Sequence, residues 1–434
     1  MFRGSLHAAL ALLLSAIVIL AVEPPGLIDE SHFFPIEHPA IRYSNATPTD
    51  RIAELQARLT AREKRLVFDR KFGYLPSVLE ALGIPVSSQM LVFSKTSFQA
   101  ARISPQAPRA LYLSDDVTIG WVRGGAVLEV ASVDPNLGAV FYSLDQQPTS
   151  RPEFRLHNTD CTGCHQGPAT AGVPGLLVRS VYPETSGVLS RTPGFITDHR
   201  SPLRERWGGW YVTGEHGSQQ HLGNRTFERF APVANWDLEA SGNRTNLQKF
   251  FDTSAYLTPH SDIVALMTLE HQTRMTNLIT RVGYETRVAL HDARATRIEE
   301  LDPSSRSRVS NTIEEMLRYL LFTDEARLEA PIRGTTKFAK EFGEVGPRDS
   351  KGRSLRDLDL ETRLLRYPCS YLIYSAHFNA LPESAKETIY RRLWEILSGR
   401  DRSEAFRTLT KTDRQAIREI LIATKPDLPA YWRE

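Results

Sequence analysis

Val117-Thr118-Ile119-Gly120-Trp121-Val122, Ala126-Val127-Leu128-Glu129-Val130 and Ala139-Val140-Phe141-Tyr142-Ser143-Leu144 are short runs dense in β-branched and aromatic residues. Gly124-Gly125 and Asp134-Pro135-Asn136 separate them as turns. Together with Met90-Leu91-Val92-Phe93 and Leu111-Tyr112-Leu113 they predict a small antiparallel sheet of roughly four or five strands. Residues 146–255 then turn loop-rich, and residues 256–434 read as mainly helical. The fold class expected is therefore α+β: a small antiparallel sheet, a loop-rich segment, then a mainly helical C-terminal part.

The helical expectations rest on spacing and caps. Asp50 caps a helix through about Phe68, and Pro76–Leu82 forms a second that Gly83 ends. Ser261 caps a helix to Ile279; others are expected near 285–299, 307–321, 358–378, 384–397 and 412–422. Residues 331–357 read as a surface loop. Within the loop-rich part, Leu176–Val181 and Trp207–Val212 are candidate strands. The segments are then 1–22 as a leader, 23–88 as an extended lead-in with helices, 89–255 as the β-rich and loop-rich part, and 256–434 as the helical part.

Just beyond the predicted sheet stands Cys161-Thr162-Gly163-Cys164-His165. With three Cys and twelve His in the whole chain, this arrangement is improbable by chance. The spacing suits covalent capture of one haem c: each thiol adds to one vinyl group, and the imidazole after the second becomes the proximal iron ligand. The same residues also permit a redox dithiol or part of a zinc site. A dithiol normally follows a strand, and Phe154–Asp160 shows no clear buried strand. Structural zinc wants a second ligand pair, and the remaining cysteine, Cys369, stands alone in an apolar stretch.

The N-terminus agrees with export. Met1-Phe2-Arg3 is a short positive start, and Ala8–Val22 is an apolar run of signal-peptide length. A membrane span needs about 20 residues, so this run of roughly 15 reads as a signal peptide, with an uncleaved anchor as the alternative. The expected location is periplasmic or otherwise extracytoplasmic, with a membrane contact only through such an anchor. Acids and bases nearly balance at a net charge of +2, which predicts no nucleic-acid partner.

The five-residue motif, its single occurrence and the leader resemble the monohaem c-type cytochromes of bacteria. The rest of the chain resembles uncharacterised secreted bacterial proteins that carry one such motif. The resemblance covers about residues 161–168 and implies thioether attachment at Cys161 and Cys164, with His165 as proximal ligand. The small cytochromes of that family supply a methionine as sixth ligand some 40–60 residues on; here Gln166–Leu266 contains no Met. The sixth ligand is then expected on the helix after Ser261, where Val264, Met267, His271, Met275 and Leu278 share one face. His271 is the first candidate; His216 and His221 are the next, and His199 and His157 are weaker.

Electron transfer with redox partner proteins is the function this predicts. A haem-dependent oxidoreductase or peroxidase with an open distal site is the alternative, as is a haem-based sensor or binding module. Whether the chain is an enzyme stays open at this point, because no catalytic constellation stands out.

Overall fold

The structure, a computed structural model, describes residues 33–157, 159–190, 194–227 and 242–433. The leader expected at residues 1–22 lies outside the described residues. The strands are β1 (Met90–Val92), β2 (Arg109–Leu113), β3 (Val117–Trp121), β4 (Val127–Asp134), β5 (Gly138–Asp145), β6 (Phe154–Leu156), β7 (Arg179–Ser180), β8 (Phe195–Ile196), β9 (Trp210–Tyr211), β10 (Gly214–Glu215) and β11 (Arg333–Gly334). The helices are α1 (Arg51–Thr60), α2 (Leu75–Leu82), α3 (Thr162–His165), α4 (Ile263–Ala293), α5 (Pro303–Leu320), α6 (Phe338–Glu344), α7 (Ala376–Asn379), α8 (Glu383–Leu397) and α9 (Lys411–Thr424). The α+β class expected is the one observed.

The main sheet is antiparallel, in the order β6-β5-β4-β3-β2-β1-β9. It is larger than expected because two short strands extend it. β6 joins an edge through Tyr142↔Leu156 and Ser143↔Arg155; only its Phe154 is buried, so no apolar run announced it. β9 joins the other edge as part of the predicted Trp207–Val212 run. Pleating divides the side chains between two faces. Tyr112, Ile119, Leu128, Val130 and Val140 pack on the core that includes Ile52 and Leu55 of α1 and Leu75 and Leu79 of α2. On the opposite face, Leu111 and Leu113 join the helical core, while Ala131, Ala139 and Phe141 form a separate small cluster.

Several helix boundaries differ from expectation. Asp50 caps α1 through the amides of Ile52 and Ala53, but the helix stops at Thr60, two residues before Arg62 takes φ 61°. The cap of α4 is Asp262, not Ser261, whose hydroxyl instead serves Tyr211 O and Leu91 N. α4 runs unbroken through the expected gap to Ala293. Gly283 does not end it; a Cβ there would lie 3.3 Å from Leu381, so the glycine admits a neighbouring side chain. No long helix forms over 358–378. Asp359 takes the amides of Glu361, Thr362 and Arg363, and Leu360 adopts φ 60°, a local turn that competes with helix. Residues 331–357 hold β11 and α6, whose Phe338 and Phe342 are buried, so this stretch is more than a surface loop.

α4 is the axis of the molecule. Nearly all of it is buried, including Glu270, His271, Arg274, Arg281 and Glu285. No helix among the described residues is long and apolar enough to cross a membrane.

Candidate functional site

After β6 the chain makes a tight turn. Cys161 O accepts the amides of Cys164 and His165 at 3.1 and 2.9 Å, which starts the four-residue α3. This turn presents both thiols and the imidazole on one short arc. Both cysteines are free thiols: Cys161 is half-buried against the cluster of Ala131, Ala139 and Phe141, on which Leu176 also packs, and Cys164 is exposed. Open space surrounds the position a Cβ would take at Gly163.

His165 is held from two sides. Its Nδ1 lies 3.0 Å from Gly175 O, and Gly175 N donates back to His165 O at 2.8 Å. Nδ1 must carry the proton in that bond, so the lone pair sits on Nε2. The ring packs on Phe141 with centroids 4.8 Å apart. Burial lowers its pKa, with the Gly175 carbonyl opposing, so the imidazole is neutral and competent as a ligand at pH 7. Gly175 is required by space: a Cβ would meet Asn277 Oδ1 at 2.2 Å, and the Asn277 amide donates to Leu176 O at 2.8 Å. The lead-in also docks here, since Gln166 Nε2 donates to Phe34 O and Phe34 N to Gly172 O.

Burial, with Asp160 and Glu129 adding to it, raises the Cys161 pKa, which disfavours that sulfur as an attacking thiolate. A three-residue edge strand precedes the motif with only Phe154 buried, so no buried strand leads into it. Cys369, alone in its apolar stretch of sequence, is fully buried, with its pKa raised by desolvation.

The structure does not bring His271 to the motif. The α4 face that carries Met267, His271 and Met275 turns into the helical core. The motif side is marked by Thr273 and Thr276, which line a cleft with Ala131, Ala139 and Leu176, and by Asn277. At 100° per residue, that side lies about 150° around the helix from His271. Both His271 nitrogens are engaged, Nδ1 with His199 Nδ1 at 2.8 Å and Nε2 with Ser370 Oγ at 2.8 Å. Neither nitrogen of His271 is left free to act as a ligand.

His216 and His221 are brought together, with ring centroids 4.8 Å apart, and both are buried. His216 Nε2 accepts from Asn243 N, and His221 Nδ1 from Gly223 N. Burial pushes His221 down to about 3. No hydrogen bond or ring contact among the described residues joins either to Cys161–His165. The imidazole placed beside the motif is His157, ranked low from sequence. It stands opposite Phe141 across the β5–β6 edge and bonds Ser143 Oγ through Nε2 at 2.8 Å.

Sequence reasoning missed a buried polar cluster around His199 and His271. The two rings lie 14° from parallel, with Tyr319 and Phe322 stacked on His199 at 4.0 and 4.4 Å. Phe322 reaches them from φ 55°, a backbone region unfavourable for a bulky residue. Beside them, Arg206 pairs with Glu270 at 3.0 Å and donates to His199 O, both side chains being essentially inaccessible. Burial raises Glu270 to about 7 against the pull of Arg206. The signal was present in α4, where Glu270, Arg274, Arg281 and Glu285 follow spacings of four, seven and four and so share one stripe of a helix that can bury them only against partners.

Comparison of the chain with protein-family models, with curated proteins and with solved structures finds no match.

Proposed function

We propose that this chain is an exported monohaem c-type cytochrome that works in electron transfer with redox partner proteins. The single observation that carries this reading is the His165–Gly175 bond, which fixes Nε2 as the free donor one residue from a thiol. The donor set fits the group: Cys161 and Cys164 are unpaired thiols on the same turn, and His165 is neutral and oriented. Cys161 and Cys164 would hold the haem through thioethers, and His165 would ligate the iron. When bound, the haem supplies a one-electron ferric–ferrous couple. Gly175 holds the imidazole in register, and Phe141 and Leu176 pack beside the attachment turn. Export follows from the same reading, because attachment at such motifs takes place outside the cytoplasm and the apolar start offers a route there.

The functional test is a redox titration of protein produced in the periplasm with haem-attachment machinery. A reversible one-electron couple without consumption of peroxide supports electron transfer. Sustained peroxide turnover by the purified protein would replace this reading with a haem peroxidase.

A further inference from the structure

Far from the haem motif in sequence, the C-terminal end of α4 meets the lead-in segment. His38 comes from the turn at residues 35–42, in which His38 O accepts the amides of Ile41 and Arg42. His291 and Asp292 come from the last turn of α4. One ligand atom from each of the three lies within 4.8 Å of the other two. His38 Nε2 is 3.0 Å from Asp292 Oδ1, and His291 Nδ1 is 3.2 Å from the same oxygen. The two imidazoles stand edge to face, 85° apart, with centroids separated by 5.1 Å.

We propose that His38, His291 and Asp292 form a binding site for one divalent transition-metal ion of the Zn2+, Cu2+ or Ni2+ class. Two nitrogens and one carboxylate oxygen suit those ions and not Ca2+ or Mg2+, which take all-oxygen shells. A tetrahedral ion with bonds of about 2.0–2.2 Å needs donors about 3.3 Å apart. Two of the three separations already meet this, and the third closes by rotation of His291, whose side chain is half exposed. The helix end adds favourable electrostatics, since unpaired carbonyls at a C-terminus attract cations. One local bond opposes: Ala40 N donates to His38 Nδ1 at 3.2 Å, and metal on Nε2 moves a proton to Nδ1. Loss of that long hydrogen bond costs less than one coordination bond supplies. Bound metal ties the lead-in to α4, and the remaining coordination positions face solvent.

The site stands independently of the haem reading. The test is calorimetric titration of Zn2+ into the full mature chain, beside the variants His291→Ala, His38→Ala and Cys164→Ser. The account expects one equivalent bound by the wild type and by Cys164→Ser, weakened more than about tenfold in both histidine variants. His291 lies at the surface, so its variant keeps the fold, which circular dichroism checks. Zn2+ should also slow tryptic cleavage after the exposed Arg42 in the wild type but not in His291→Ala. Absence of Zn2+ binding, or binding unchanged in His291→Ala, overturns the proposal; binding lost only in Cys164→Ser assigns the metal to the thiols and overturns it as well.

Discussion

His165 Nδ1 and the carbonyl of Gly175 lie 3.0 Å apart, and the two residues return the bond through Gly175 N and His165 O. This pair locks a neutral imidazole with Nε2 free on the turn that carries both unpaired thiols. Asn277 of α4 supports it from behind, within 2.2 Å of where a Gly175 Cβ would stand.

Gly175→Ala therefore should force the 175–176 backbone away from α4. The expected cost is about 1–3 kcal/mol in thermal or urea unfolding. Shortening the opposing side chain as well, in Gly175→Ala/Asn277→Ala, should recover part of it. Equal losses in the single and double variants would show that Asn277 is not the obstruction.

His271→Ala should leave the optical spectrum of the haem-loaded protein unchanged in spin state. It should instead destabilise the fold by about 2–4 kcal/mol, because it removes two buried hydrogen bonds and a stacked ring. A low-spin to high-spin change on this substitution would place His271 on the iron and contradict the observed side assignment of α4.

Arg206→Met should cost about 1–3 kcal/mol, because Glu270, already raised to about 7, takes up a proton and is left without its hydrogen-bond partner in a dry site. The double variant Arg206→Met/Glu270→Gln should be more stable than the single one. Additive losses would mean the two side chains act separately.

Stability should fall as pH drops below about 6.5. His271, His221 and His377 are each held down to about 3 by burial, so the unfolded chain takes up protons between about 3 and 6.5 that the native chain refuses. Their contribution is complete above 6.5 and lost as pH falls. Glu270 and Glu325, raised to about 7, act in the opposite sense between their ordinary range and 7. The imidazoles are more numerous and further displaced, so their sign prevails. Urea midpoints at pH 7 and 5 check this, and His271→Phe should shrink the difference.

The central strands were legible because Gly124-Gly125 and the Asp134 turn punctuate alternating runs. The edge strands were not, since β6 buries only Phe154 and β9 covers two residues. α4 was legible to Ile279, but its continuation through Gly283 was not; in the fold that glycine leaves room for Leu381. Of the candidate site, Cys161, Cys164 and His165 could be read from spacing alone. The Gly175 partner could not, because a backbone carbonyl leaves no mark in composition. The face of α4 was misassigned because His271 and its methionines fit a ligand stripe and a core stripe equally well. Only the position of α5 and Ser370 decides between them.

The most direct measurement is an intact mass and a pyridine haemochrome spectrum of the mature chain made with haem-attachment machinery, beside Cys161→Ala/Cys164→Ala. The account predicts a coloured protein with the mass of one added haem and a spectrum typical of two thioether links, both abolished in the double variant. A colourless wild-type chain at the mass of the bare polypeptide would contradict it.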